Sequence, residues 1–144
     1  MSSPINFYNQ NIPYTLKNKN RVRTWITRCA ADERKKIGEI TYMFGDDNYI
    51  LETNRKYLNH DYMTDIITFD YSSDDMLCGD IAISIERVRE NAKKYGVSIE
   101  KELLRVLIHG ILHLCGYKDK SPKEEAAMRG KEDECIRKYY SISL

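Results

Sequence analysis

Two histidines of this 144-residue chain, His109 and His113, lie four residues apart in the apolar stretch HGILHLCGYKD, residues 109–119. In an α-helix, residues with this spacing differ by about 40° in direction and about 6 Å along the axis, so both imidazoles share one face. A buried imidazole without a hydrogen-bond partner costs about 1–3 kcal/mol. The spacing is therefore typical of two ligands that converge on one metal ion. The alternative is that each histidine hydrogen-bonds only a carbonyl or a carboxylate.

A third ligand is expected soon after the helix, because catalytic metal sites usually combine three protein ligands with an open position. Asp119 lies six residues beyond His113, and Gly116 between them allows the chain to turn back. Cys115 is the competing ligand, but two residues after His113 it faces another side of the helix. Asp119 has an alternative role as a cap for a helix beginning near Pro122. The predicted ligand set is the two histidines and Asp119.

Gly110 follows the first histidine directly. In the HExxH motif of zinc proteases, this position holds the glutamate that acts as general base. Glycine cannot transfer a proton, so the sequence disfavours a zinc protease of that kind.

The elements that must position these residues are predicted from periodicity and from helix and turn signals. Their order is β-α-β-α-β-β-α-α-α, which predicts one α/β (α+β) domain over residues 1–144. It would contain a single small mixed sheet of about four strands with five helices packed on it, and the third and fourth strands would form a hairpin or lie side by side. The predicted strands are 5–8, 37–44, 65–69 and 80–83, and the predicted helices are 15–31, 47–59, 84–96, 98–116 and one from Ser121 onward.

Composition limits the cellular context and the partners. Four cysteines are widely spaced without a CxxC pair, which favours reduced thiols. No apolar stretch is long enough to span a bilayer, and the first residues do not read as a secretory signal, so we expect a cytoplasmic protein that does not bind membranes. The net charge of +1 creates no global field for an anionic partner, which must be held by local cations. Lys118 and Lys120, beside Asp119, belong to one of several basic clusters that could bind an anion.

Three motifs in order resemble those of the YbeY-type endoribonucleases, which are bacterial rRNA maturation factors. Residues 109–119 are similar to the family signature H-G-x-L-H-L-x-G-Y-D-H. TDIITF at 64–69 is similar to the T-D-V-L-S-F strand, and GDIAIS at 79–84 to the G-D-I-x-I-S strand. Asn54 and Tyr57 stand where the family has N-x-x-Y-R. Three ordered matches make this resemblance more specific than any single motif.

The resemblance implies a mixed α/β fold, one zinc ion per chain, and single-strand-specific RNA cleavage in small-subunit rRNA maturation and ribosome quality control. The implied partners are precursor rRNA and the ribosome or its small subunit. With an RNA substrate, Lys118 and Lys120 are the candidates for binding its phosphates. His109 and His113 carry over as the first two ligands, and Asp119 stands where the family has a third histidine. A carboxylate is an accepted zinc ligand. It lowers the net charge of the site by one and shifts its preference toward harder ions.

A second departure from the family pattern is Leu58, which stands where the family has an arginine. An arginine there would bind a phosphate through two hydrogen bonds. Arg55, one helical turn earlier, is the candidate to take over part of that role. Thr64 and Asp65 are candidates for residues at the catalytic cleft, and their alternative role is in the turn and the strand start.

The sequence therefore predicts a metal-dependent endoribonuclease, and two alternatives remain open. One is a non-catalytic ribosome-associated factor whose metal only completes the fold, which the leucine at position 58 favours. The other is a zinc hydrolase acting on peptides or small molecules, against which Gly110 argues.

Overall fold

The protein is described by a computed structural model that covers residues 3–60 and 62–142. The predicted order of elements and the α/β class are confirmed. The strands are β1 (Ile5–Asn9), β2 (Lys36–Gly45), β3 (Ile66–Asp70) and β4 (Met76–Ser84). The helices are α1 (Lys19–Asp32), α2 (Asp47–Leu58), α3 (Ile85–Tyr95), α4 (Ile99–Leu114) and α5 (Pro122–Ser141).

The four strands form one mixed sheet in the order β1-β2-β4-β3. β2 pairs in parallel with both β1 and β4, while β3 runs antiparallel to β4. The predicted pairing of the third and fourth strands is thus confirmed, with Ile66 opposite Ile83. β4 begins four residues earlier than expected, because Met76 already pairs with Lys36 at the start of β2.

Helix α1 also differs from its prediction, since it begins at Lys19 rather than at Thr15. Asn18 has a φ of 57° and occupies the N-cap position. A left-handed residue cannot continue an α-helix, so the residues before it remain outside the helix. Trp25 and Ile26, on the apolar face of α1, are fully buried.

Helix α4 lies at the centre of the main core, as its apolar sequence predicts. Ile81 and Ile83 of β4 belong to the same core as α4, whereas Ala82 between them packs with Ile50 of α2 and Ile67 in a second cluster. Successive strand residues point to opposite faces, so α2 covers the face of the sheet away from α4. None of the helices in the described residues is long and apolar enough to cross a membrane.

Helix α4 packs closely against the sheet at Gly110. A Cβ at this position would lie 3.0 Å from Cδ1 and 3.2 Å from Cγ2 of Ile81, and 3.2 Å from Cδ1 of Ile66. The glycine that argues against HExxH chemistry is therefore needed for helix–sheet packing.

Replacing Gly110 by alanine is expected to lower the free energy of unfolding by about 1 kcal/mol. Overpacking a buried site costs about 1–3 kcal/mol, which exceeds the gain of about 1 kcal/mol from alanine's higher helix propensity. Gly130→Ala in α5 is the matched control, because, apart from neighbouring atoms of its own helix, no atom lies within 4 Å of the place that its Cβ would occupy. That variant should be more stable by about 0.5–1 kcal/mol. Denaturant unfolding followed by circular dichroism measures both, and equal stabilisation of the two would contradict close packing at Gly110.

Candidate metal centre

Helix α4 places the two histidines side by side at the edge of the core. Their ring centroids are 4.6 Å apart and the ring planes are nearly perpendicular. Nε2 of His109 lies 3.2 Å and Nε2 of His113 lies 3.3 Å from the same oxygen, Oδ2 of Asp119. The ligand atoms of these three side chains all lie within 4.8 Å of one another. The structure thus brings the three predicted ligands together.

The end of α4 explains how Asp119 reaches the histidines. Gly116 has a φ of +107°, and its N–H donates to the carbonyl of His113 at 3.0 Å. The N–H of Tyr117 donates to the carbonyl of Leu112, also at 3.0 Å. This pair of hydrogen bonds is a Schellman motif with glycine at its left-handed position. It reverses the chain so that Asp119 lies beside α4.

The start of α5 tests the alternative role of Asp119 as a helix cap. Ser121 is the N-cap residue, and its hydroxyl accepts a hydrogen bond from the backbone N–H of Glu124. The Glu124 carboxylate accepts one from the backbone N–H of Ser121, which completes a capping box. Capping of α5 therefore does not require Asp119.

Each histidine has a hydrogen-bond acceptor at its other ring nitrogen. Nδ1 of His109 lies 2.5 Å from Oε2 of Glu132, and Nδ1 of His113 lies 3.0 Å from the carbonyl oxygen of Tyr117. A carboxylate and a carbonyl can only accept, so both Nδ1 atoms carry a proton. In a neutral imidazole of that form Nε2 carries the lone pair. Because the Asp119 carboxylate that it faces can also only accept, this contact requires a cation or a further proton between the two atoms. The alternative to metal binding was that each histidine only hydrogen-bonds a carbonyl or a carboxylate. Those hydrogen bonds are present, but they use Nδ1 of each ring and leave Nε2 for a metal ion.

Arg105 lies between several carboxylates next to His109. Its Nε donates to Oε1 of Glu102 at 3.0 Å, and Nη1 and Nη2 lie 3.5 Å from carboxylate oxygens of Glu132 and Asp65, respectively. Burial lowers the pKa of Arg105, but the hydrogen bond to Glu102 and the attraction of the three carboxylates outweigh it and raise the pKa above its usual value. Arg105 therefore stays charged, although only 14 % of its side chain is exposed.

Sequence reasoning missed Glu102, Arg105 and Glu132. The first two were recognisable, because positions 102, 105, 109 and 113 follow a spacing of three and four residues and so lie on one stripe of α4. Two charged residues on the stripe that carries both histidines point to a polar site. Glu132 gave no such signal, because it lies 23 residues after His109 and on another helix.

A cleft of about 520 Å³ opens beside the three predicted ligands. It lies between residues of α2, β3, α4 and the loop before β3. Its lining residues include Asn54, Leu58, Thr64, Asp65, His109, His113 and Asp119.

Of the other predicted site residues, some line this cleft and others do not. Thr64 and Asp65 both line it, but the Thr64 hydroxyl donates to the carbonyl of Ile66, a strand-start contact, whereas the Asp65 carboxylate pairs with Arg105. Arg55 is exposed on α2 and is not among the residues that line the cleft, whereas Leu58 is.

Lys118 and Lys120 are exposed on either side of Asp119, and neither is among the lining residues of the cleft. Both adjoin Asp119, which lines the cleft, so their long side chains can reach a phosphate that extends out of it. Their predicted role in binding RNA stays a prediction.

Cys115, the competing ligand, is separate from the three predicted ligands. It packs against the main core and is not part of the group formed by the three predicted ligands. Burial, with a contribution from the Glu33 carboxylate, raises the pKa of the Cys115 thiol to about 11. Because only the thiolate binds metal ions well, this environment disfavours Cys115 as a ligand.

Comparison with known proteins extends these likenesses over almost the whole chain. The family model described as Endoribonuclease YbeY matches residues 5–140. A protein of that name from Flavobacterium psychrophilum is 51% identical over 133 residues, which cover 92% of this chain and 95% of the relative. One from Porphyromonas gingivalis is 48% identical over 132 residues, covering 92% and 87%. The solution structure of a Thermotoga maritima protein matches with a TM-score of 0.67 and 26% identity, covering 94% of this chain and 89% of that one.

Proposed function

Because the chain belongs to the endoribonuclease YbeY family, we propose that it is a metal-dependent endoribonuclease with one ion, zinc, held by His109, His113 and Asp119. Residues 1–144 would act as one catalytic domain. The observation that carries the proposal is the convergence of the two Nε2 atoms on the Asp119 carboxylate at the edge of a cleft.

The donor set suits a catalytic zinc ion. Two imidazole nitrogens and one carboxylate oxygen are a known three-ligand set, and such a site leaves a position for water or substrate. Here the three side chains line the cleft, so that position would face the space available to a substrate. A zinc ion bound there would supply Lewis acidity to a phosphoryl oxygen and lower the pKa of a bound water.

The proposed substrate is single-stranded RNA within precursor rRNA of the small subunit, with the ribosome or its small subunit as partner and the cytoplasm as location. Family membership and the three ordered motifs support this proposal. The cleft is also far smaller than a nucleic-acid duplex, so it suits nucleotides of an unpaired strand. Lys118 and Lys120, at its margin, would hold backbone phosphates, and binding should weaken as salt rises.

A second candidate function is a ribosome-associated factor without cleavage activity, in which a metal only stabilises the fold. Leu58 favours it, because an apolar side chain lines the cleft where the family resemblance predicts an arginine. Arg55 is the proposed replacement, although it is not among the residues that line the cleft.

One experiment separates these functions. Purified wild-type protein, with its zinc content measured, is incubated with a labelled single-stranded RNA and with the same strand in a duplex. We expect cleavage of the single strand only, and loss of both zinc and cleavage in His113→Ala. Asp133→Ala removes an exposed carboxylate of α5 and is the control that should retain both. Cleavage by a folded His113→Ala variant at the wild-type rate would refute the proposal, and unfolding on chelation without any cleavage by wild type would favour the structural metal.

Removing the metal is also expected to weaken RNA binding at least about tenfold, equivalent to about 1.4 kcal/mol. The cleft is lined by the carboxylates of Asp65, Asp70 and Asp119, and its Arg105 is already paired with carboxylates. Without a bound cation, this surface repels phosphates.

Fluorescence anisotropy with a 2′-O-methylated oligoribonucleotide measures this binding, and a gel verifies that the strand stays intact. Restoring zinc should restore affinity. Equal affinity of the metal-free and zinc-loaded proteins would show that the cations outside the cleft suffice.

A further inference from the structure

We propose that Glu132 is a positioning residue of the metal centre, which holds His109 in the form and orientation that direct Nε2 toward the metal. The inference rests on the proposed function and deepens it by adding a residue that does not touch the metal or the substrate. Glu132 belongs to α5, whereas both histidines belong to α4.

The contact between Glu132 and His109 is short and buried. Oε2 lies 2.5 Å from Nδ1, and only 1% of Glu132 is exposed. Burying a carboxylate has a large desolvation cost that is offset only by charged partners and hydrogen bonds. As the carboxylate has no proton to donate, Nδ1 of His109 must donate, and in the neutral ring that binds a metal ion Nε2 then carries the lone pair.

The second carboxylate oxygen of Glu132 is also engaged. Oε1 lies 3.5 Å from Nη1 of Arg105 and 3.8 Å from Nε of Arg129. With one oxygen facing the imidazole and the other facing two guanidinium groups, the carboxylate cannot turn without losing a contact. Its fixed orientation in turn restricts rotation of the His109 ring.

The two histidines differ in how they are held. The acceptor for His113 is the backbone carbonyl of Tyr117, which the turn after α4 places there whatever the side chain at 117. The acceptor for His109 is a side chain that one substitution removes. Without Glu132, a neutral His109 can also carry its proton on Nε2, and a metal ion must then displace it. Losing such an outer partner of a ligating histidine typically lowers metal affinity about 10–100-fold.

The test compares Glu132→Ala and Glu132→Gln with Asp133→Ala. Asp133 is the next residue of α5 and is exposed, so its removal changes the charge equally without touching His109. Glutamine preserves the volume of Glu132 but offers one acceptor oxygen to donors on two sides, His109 and Arg105. If Glu132→Ala fails to fold, Glu132→Gln carries the test.

Two measurements are made on folded protein. Competition with a chromophoric chelator at fixed pH gives the zinc dissociation constant, expected to rise about 10–100-fold in Glu132→Ala, by a smaller factor in Glu132→Gln, and not at all in Asp133→Ala. Long-range ¹H–¹⁵N NMR of the metal-free protein, at a pH at which the His109 ring is neutral, identifies which of its nitrogens is protonated. In wild type and Asp133→Ala we expect a single tautomer with the proton on Nδ1. In both Glu132 variants we expect a mixture of the Nδ1–H and Nε2–H tautomers.

Wild-type zinc affinity and a retained Nδ1–H form in both Glu132 variants would overturn the inference. The NMR measurement needs no metal, so it tests Glu132 even if zinc binding in wild type proves independent of His113. Zinc binding that does not depend on His113 would refute the proposed function rather than the role of Glu132.

Discussion

Asp119→Ala is expected to lower zinc affinity at least about 100-fold and to abolish RNA cleavage, while the protein stays folded. Asp119 supplies the oxygen on which both Nε2 atoms converge, at 3.2 and 3.3 Å. Its side chain is 37% exposed and does not cap α5, so its removal leaves the core intact. Substitutions at such positions usually change stability by less than about 0.5 kcal/mol. Zinc titration, RNA cleavage and thermal unfolding measure the three effects.

Asp119→His is the informative partner of that variant, because histidine is the ligand that the family signature places at this position. We expect it to bind one zinc ion and to retain cleavage, since an imidazole and a carboxylate are both accepted zinc ligands. Relative affinity for Mn²⁺ over Zn²⁺ should fall, because an oxygen ligand suits harder ions. Identical zinc affinities for wild type, Asp119→His and Asp119→Ala would mean that the side chain at 119 does not bind the metal in this protein.

The sequence predicted those parts of the site whose residues are close together in the chain. His109 and His113 are joined by one helix, and the turn that returns Asp119 depends on Gly116 and two backbone hydrogen bonds within six residues of chain. Such contacts follow from spacing and backbone geometry. The pairing of β3 with β4 was equally accessible, because a short polar turn joins the two strands.

The rest depends on contacts between distant segments. Glu132 reaches His109 only because α5 packs beside α4, and nothing in the sequence near either residue specifies that packing. Whether Leu58 or Arg55 lines the cleft likewise depends on packing between distant segments. The family resemblance marked it as a departure, but only the cleft shows that the leucine lines the site while Arg55 does not.

Arg105→Met is expected to destabilise the protein by about 3–5 kcal/mol, the largest loss of stability among these predictions. Arg105 is the shared partner of Glu102 and Glu132, which are 2% and 1% exposed, and it also pairs with Asp65. Removing one partner of a buried ionic group leaves uncompensated charge and typically costs this much, even where replacing the whole group by apolar residues would not. Urea unfolding at neutral pH measures the loss, and Arg137→Ala on the exposed face of α5 should change stability by less than about 0.5 kcal/mol.

The origin of that loss can be tested with Glu102→Gln. If stranded carboxylates cause the destabilisation, adding Glu102→Gln to Arg105→Met should recover part of it, whereas Glu102→Gln alone should be destabilising because it removes a charged partner of Arg105. Coupled residues commonly show interaction energies of about 0.5–3 kcal/mol in such a cycle. Strictly additive effects would instead attribute the loss to the packing of the arginine side chain. Coupling would connect stability to the metal centre, because the same guanidinium that neutralises Glu102 also holds the carboxylate that orients His109.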